Sequence, residues 1–476
     1  MLTYQDFQKV MGNEDQTKEF VKRLINEHKS SEAYKEAVIA EEYYRHKNRT
    51  IVQYQKFLFD LSGKPQRDIW SANYKMASRF FKRFVTQENQ YLLGNGVTWT
   101  DSRTAEKLGE DFDYQLQKLG RNALVQRVSF GFFNYDHLEV FAFTEFAPLF
   151  DETNGALMAG VRYWQIDESK PLRATLYEID GYTEYIWDRR EDSDGVVYQD
   201  KRPYIIKLGT SVADGMQIYD GKNYPTFPIV PLWGNPEHTS ELTGLREQID
   251  CYDLIKSGYA NNVDEGSLIY WTLNNAGGMD DIDLAQFVQK MKTLHASTVD
   301  DGVSAESHNL EAPYQSREAL LAKLRSDLYE DAMALDTKSL ADGAVTATQI
   351  KAAYELLNSK TDEYEYCVLD FLDGIMELAE IDDDPSFTRS VIVNVQEEAQ
   401  LIIQSANMFP EDYVVRKLLT LFGDGDKADD ILDQLADEEV DRFRDNSSPL
   451  ENGVENSTDN TTRMAGNGRE SGANNQ

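Results

Sequence analysis

The sequence predicts an α+β protein built from several parts. Three observations predict it. Short β-type runs with turn signals between them fill residues 128–207. Long runs with apolar residues three or four apart flank that block on both sides. Four prolines, Pro225, Pro228, Pro231 and Pro236, separate the β-rich block from a helical second half. A chain of 476 residues carries a prior of roughly three domains. Hydrophobic residues make up 41% and aromatics 11%, enough to build cores.

The elements follow in order. Tyr4 to Leu24 and Ser31 to Tyr44 are charged, nearly free of Gly and Pro, and read as helices. Pro65 interrupts. Ile69 to Leu93 then places Tyr74, Ala77, Phe81, Phe84 or Val85, Glu88 and Leu92 on one face of a long helix, which Gly94-Asn95-Gly96 stops. Val97 to Thr100 is strand-like, and Arg103 to Leu119 is a short helix. Strands are expected at Val128–Phe133, Leu138–Phe143, Ala159–Gln165, Arg173–Glu178, Thr183–Trp187 and Tyr204–Lys207. Asp151 to Gly155 and Asp192 to Gly195 are hairpin-type loops. Ser240 to Val263 is a helix with Leu242, Leu245, Ile249, Tyr252, Ile255, Tyr259 and Val263 at helical spacing.

Gly266 to about Pro313 is a compact insert, with a strand at Leu268–Leu273, a Gly277-Gly278 turn and a short helix at Asp283–Leu294. Ser316 to Leu335 is a further helix, and Asp336 to Val345 a loop of small and polar residues. Thr346 and Gln349 form a capping-box pair that opens the longest helix. Its apolar positions step from Ile350 to Leu378, about 45–50 Å of rod. Asp382-Asp383-Asp384-Pro385 ends it. Val391 to Val395 reads as a strand, and helices follow from Glu398 to Arg444. Residues 446–476 hold no aromatic and no β-branched run, so they are expected to be disordered.

Charge narrows the function. Lys plus Arg is 48 against 83 Asp plus Glu, a net charge of −35. That argues against a chain that grips nucleic acid by neutralising phosphates over its whole surface. Cys251 and Cys367 cannot make a disulfide framework and read as buried small hydrophobes. No apolar run approaches the length of a membrane span, and Met1 to Gln8 carries no signal-peptide pattern, so no membrane partner is expected. No two histidines lie three to five apart, and no phosphate-binding or nucleophile-elbow motif occurs, so no cofactor, metal or catalytic residue is assigned. Asp424 to Asp429 faintly suggests a calcium loop, but its twelfth position is Leu435, where a bidentate Glu is needed. Ser78 to Phe84 mixes aromatics with Arg79, Lys82 and Arg83, which reads as an amphipathic packing helix. A hydrolase using two carboxylates and a helical scaffold or adaptor remain alternative readings.

Local sequence adds a resemblance. Tyr43-Tyr44 followed by basic residues is similar to the N-terminal Tyr-Tyr element of phage portal proteins of the siphovirus type, the head-to-tail connectors. Asn73 to Val85 running into Tyr91-Leu92-Leu93-Gly94-Asn95-Gly96-Val97 resembles that family's helix and its Tyr-Leu-Leu-Gly-x-x-Val turn. Phe227 to Pro231, Asn235, Ser240-Glu241-Leu242 and Ile249 to Tyr252 resemble its lead-in to the first stem helix, and Ala347 to Leu357 the start of its long helix. The match spans about residues 40–440.

The resemblance implies a ring of about twelve copies at one capsid vertex, through which double-stranded DNA is packaged and ejected without sequence-specific binding. It implies a wing at 1–237, a first stem helix at 238–265, a clip at 266–314, a second stem helix at 315–335, a channel loop at 336–345, a long helix at 346–381, a wing strand at 382–397 and a crown at 398–445. Partners would be terminase, a head-completion adaptor, and major capsid and scaffolding proteins, with assembly in the host cytoplasm. Twelve copies would carry about −420, a wall that repels a polyanion rather than trapping it. Screening near 8 Å confines that effect to charges close to the DNA. In the channel, Lys338 is the favoured transient phosphate contact, with Lys323 and Arg325 behind it and inter-subunit salt bridges as their alternative. Asp336, Ser339, Asp342, Gly343 and Ala344 complete the loop, whose small residues suit motion in a narrow bore. In the clip, Asp280, Asp281, Asp283, Asp300, Asp301 and Glu306 would meet a basic partner surface.

Overall fold

A computed structural model describes residues 2–59, 64–69, 71–188, 195–213, 216–266, 270–274, 304–308, 314–338, 347–390, 395–423 and short pieces from 425 to 435. It is α+β. Two units divide it, Met1–Ile392 and Val393–Gln476.

The first unit begins with α1 (Tyr4–Gln8), α2 (Glu14–Ser30), α3 (Glu32–Tyr44) and α4 (Arg49–Gln53). Thr3 closes a capping box on α1, and Asn13 and Ser31 cap α2 and α3. A small hairpin, β1 (Phe57–Phe59) and β2 (Pro65–Arg67), follows. Next come α5 (Phe80–Leu93), β3 (Val97–Thr98), α6 (Ser102–Leu108) and α7 (Phe112–Gln126). The expected helix over 103–119 is therefore two. Asp101 caps α6, and Gly109 breaks it with φ +94°, where a side chain would also meet the Asp136 carbonyl.

Ten strands follow: β4 (Val128–Asn134), β5 (His137–Ala142), β6 (Phe146–Phe150), β7 (Leu157–Trp164), β8 (Leu172–Glu178), β9 (Gly181–Trp187), β10 (Val196–Arg202), β11 (Ile205–Ala213), β12 (Met216–Lys222) and β13 (Ile229–Trp233). They form an antiparallel five-stranded sheet in the order β10-β9-β8-β7-β6, a three-stranded sheet β13-β4-β5 and a ribbon β11-β12. The sequence reading missed β6, β10, β12 and β13. Two of these carry a proline, Pro148 in β6 and Pro231 in β13. Both strands lie at sheet edges, where a missing N–H costs no ladder bond.

Apolar burial joins these layers. Phe7, Phe20, Val21, Leu24 and Ile25 of α1 and α2 pack on Leu149, Val161, Tyr163, Leu176 and Trp187 of the large sheet. The two sheets meet through Phe130, Phe132, Phe141, Phe146 and Tyr177, with the Phe130 and Phe146 rings 4.5 Å apart. Phe81, Phe84, Val85 and Leu92 of α5 meet Leu116, Leu119 and Ala123 of α7. That core also receives the second half of the long helix. Lys82 lies on the exposed side of α5, as the amphipathic reading of residues 78–84 expects.

The remaining helices are α8 (Arg246–Gly266), α9 (Tyr314–Asp331) and α10 (Ala347–Ala379). α10 has 33 residues, about 50 Å of rod. Thr346, its expected cap, lies outside the described residues. α8 starts six residues later than expected, after a run of turns from 241 to 245 that still buries Leu242 and Leu245. β16 (Ser386–Phe387) pairs with β3. The strand expected at Val391–Val395 is corrected at its last residue, since Val395 already belongs to a helix, while 391–394 lie outside the described residues. Cys251 is exposed, against the expectation of burial. Cys367 is half-buried, and burial pushes its thiol up to about 11.

The second unit holds α11 (Val395–Ser405), α12 (Glu411–Phe422) and a 3-10 turn at Gly425–Lys427. Gly423 ends α12 in the left-handed region, φ +85°. The turn lies in the stretch that faintly suggested a calcium loop; Asp424 and Asp429 are outside the described residues. The tail 446–476 also lies outside them.

Candidate functional site: a paired-helix stem, its elbow and the insert

α8 and α9 pack antiparallel. Gln248 donates to Asp331 at one end, and the Tyr259 and Tyr314 rings meet edge-to-face at 5.7 Å at the other. The pair is only partly covered. Of α9, Leu328 and Tyr329 alone are buried, while Leu320 is 46% exposed and Val263 of α8 is 52% exposed.

One face of α8 is buried, and beyond Ile249 it is polar. Asp253, Ser257 and Asn261 stand one helical turn apart, each at most 3% exposed. Asp253 Oδ1 accepts from Ser78 N at 2.9 Å, Ser257 Oγ from Met76 N at 3.0 Å and Asn261 Oδ1 from Tyr74 N at 2.7 Å. Asn48 Nδ2 donates to Asp253 Oδ2 at 2.5 Å. Burial pushes the Asp253 carboxyl up, against these bonds. The geometry explains why 71–79 is extended rather than the first half of the expected long helix. Two residues of extended chain advance about 6.6 Å, close to the roughly 6 Å of four helical residues. A side chain every fourth residue of α8 can therefore take every second N–H of the strap.

The elbow after α9 is held by three elements. Met333 sits at φ +50°, an uncommon conformation for a non-glycine residue. From α5, Gln87 donates to the Leu335 carbonyl and accepts from its N–H, both at 3.1 Å. From α9, Arg325 pairs with Asp336 at 2.6 Å, its guanidinium over the Tyr329 ring. From α10, Lys360 donates to the Ala332 carbonyl at 3.3 Å.

The predicted channel residues divide accordingly. Arg325 and Asp336 are paired with each other, so neither projects as an isolated charge. Lys323 pairs with Asp327 at 2.5 Å on its own helix. Lys338 is exposed, and its N–H is held by Asp336 at 3.1 Å. Ser339, Asp342, Gly343 and Ala344 lie outside the described residues. Of the predicted clip residues, Glu306 lies on β15 (Ser304–His308), opposite Thr272 on β14 (Tyr270–Asn274) in an antiparallel pair. Asp280, Asp281, Asp283, Asp300 and Asp301 lie outside the described residues. Among the described residues no group of three His, Cys, Asp or Glu is placed to hold a metal, and no helix is long and apolar enough to cross a membrane.

Sequence reasoning missed the polar stripe of α8 and the residues of the elbow. Asp253, Ser257 and Asn261 repeat every four positions, a signal visible in the sequence, but their partner is backbone and has no signature. Gln87 and Lys360 read as ordinary solvated helix positions.

A family model for phage portal protein, SPP1 Gp6-like, matches residues 22–441. The chain belongs to that family, a structural one. It is 25% identical over 424 residues to the portal protein of Bacillus phage SPP1, covering 81% of this chain and 79% of that one. It is 24% identical over 206 residues to the portal protein of Clostridium phage phiCD119, covering 40% of this chain and 45% of that one. Among solved structures, a chain from the neck of an empty gene transfer agent particle aligns over 72% of this chain and 90% of its own, at 9% identity and a TM-score of 0.43. One from the native particle's neck aligns over 71% and 89%, at 10% and 0.41.

Proposed function

We propose that this portal protein works as a closed ring of about twelve copies at the capsid vertex of the virion, the conduit for DNA entering and leaving. The observation that carries this reading is the incomplete α8–α9 pair. A stem that buries two residues of α9 has an apolar side left for a neighbour, and neighbours on both sides close a ring. In this reading residues 1–237 with 382–397 are the wing, and α8 and α9 the stem. Residues 266–314 form the clip, 336–345 the channel loop, α10 the connecting rod and 398–445 the crown. The β14–β15 pair and its acidic neighbours would dock terminase and then the head-completion adaptor, and the major capsid and scaffolding proteins would hold the ring. Lys338 is the favoured contact to passing phosphates, since Lys323 and Arg325 have carboxylate partners within the chain. The net charge of −35 per copy supports a wall that does not retain DNA.

A charge placed on the uncovered stem face tests this. Leu320→Asp should leave the circular dichroism of the subunit unchanged and abolish large assemblies in sedimentation. Assemblies of unchanged size in the variant would remove the stem from the interface.

A further inference from the structure

The elbow meets a buried ionic cluster that no part of the conduit reading uses. Glu88 of α5 is 2% exposed. Lys360 Nζ of α10 lies 2.8 Å from Glu88 Oε2 and 2.5 Å from Glu241 Oε2, and it also donates to the Ala332 carbonyl. One ammonium thus faces two carboxylates. Asn235 Nδ2 donates to the other oxygen of Glu241 at 2.9 Å, and Glu241 N–H donates to the Leu124 carbonyl at 3.0 Å, which fixes that carboxylate in place. Glu88 Oε2 is buried, and Lys360 is the cation that faces it.

The surroundings are acidic. The cluster borders a cleft of about 170 Å³ lined also by Glu237, Asp331, Glu363 and Tyr364. With both inner carboxylates ionised, the trio carries a net negative charge that Glu237, Asp331 and Glu363 reinforce. With Glu88 protonated, Lys360 and Glu241 remain as a balanced pair. Burial, then the neighbouring Glu241, push the Glu88 carboxyl from 4.5 up to about 8, while the two carboxylates hold Lys360 charged well above its ordinary range. Between those two values for Glu88 the folded chain holds a proton that the unfolded chain has lost. The Glu88 contribution to stability therefore declines as pH rises through that window and levels off above about 8.

We propose that Glu88, Lys360 and Glu241 form a proton-controlled latch on the elbow at 332–338, closed while Glu88 carries a proton and loosened when it ionises. Three features make the elbow a place where such a change would act. Lys360 reaches its backbone directly. Met333 holds a costly left-handed conformation that relaxes when the clamp opens. The loop proposed for the channel, 336–345, begins within the elbow. The latch lies within one chain and does not depend on ring formation.

Hydrogen exchange of the full chain tests it, read by mass spectrometry between about pH 6 and pH 9 and corrected for intrinsic rates. Peptides covering 326–338 should lose protection by about tenfold, with a midpoint near 8, while peptides of β4 and β5 do not change. Glu88→Gln, neutral at every pH, should remove that dependence. Glu241→Gln, which leaves Lys360 to Glu88 alone, should move the midpoint down. A flat wild-type profile over 326–338, a Glu88→Gln profile like the wild type, or an unmoved midpoint in Glu241→Gln would each overturn the proposal.

Discussion

α10 and α12 make an instructive pair. Both are amphipathic, with apolar residues three and four apart. The second half of α10 sinks Tyr364, Val368, Phe371, Leu372 and Ile375 into the core of the first unit, each at most 1% exposed. α12 buries none of its residues; its own Phe422 is exposed, as are Met408 and Phe409 just before it. The periodicity is alike and the outcome opposite. An apolar stripe shows that a helix needs cover; whether the cover lies in the same chain is a separate fact. The first unit largely supplies its own. The second unit and the α8–α9 pair leave apolar residues exposed.

The largest effect should come from breaking the self-sufficient side. Phe371→Ala removes a ring that closes against Gly131 and should cost about 3–5 kcal/mol in chemical denaturation of the unassembled chain. A smaller loss is expected at the polar seam. Asp253→Ala strips Ser78 N–H and Asn48 of their acceptor and should cost about 2–3 kcal/mol, with faster amide exchange at 74–78 than in the β6–β10 sheet. On the unfinished side the same kind of change should barely register. Phe422→Ser should alter subunit stability by no more than about 0.5 kcal/mol, because the ring is 59% exposed, and its effect should appear only in assembly. Lys338→Ala should leave folding and assembly intact and slow DNA translocation in a reconstituted packaging motor; an unchanged rate would take Lys338 off the DNA path.

The contrast also explains what could be read in advance. Elements with a clean local signal were legible: α3, β4, β5, β7, β8, β9 and the rod α10 fall close to their expected spans, whereas the single helices expected over 4–24 and 103–119 are each two. Elements whose identity depends on a partner were not. Residues 71–79 share a helical apolar pattern with α5, but three side chains of α8 hold them extended, and nothing local announces that. β6 and β13 hide behind Pro148 and Pro231, which only their edge positions permit. Within the candidate site, Arg325 and Asp336 could be named as charged residues of the stem and loop, yet not as a pair. Their bond depends on the turn at Met333, a left-handed residue with no glycine to betray it. Lys360 was hidden for the same reason, since it reads as a solvated helix charge until α5 and α10 are packed together; Glu88 falls on the apolar face of its helix in the sequence, but its partners do not show there.

The central claim is that the uncovered stem is covered by further copies of this chain in a closed ring. Electron microscopy of the purified full-length protein, with mass photometry on the same sample, tests it most directly. The account predicts rings with a central hole and a mass of about twelve times 54.4 kDa. A single species at the mass of one chain across the accessible concentrations, with no rings on the grid, would contradict it.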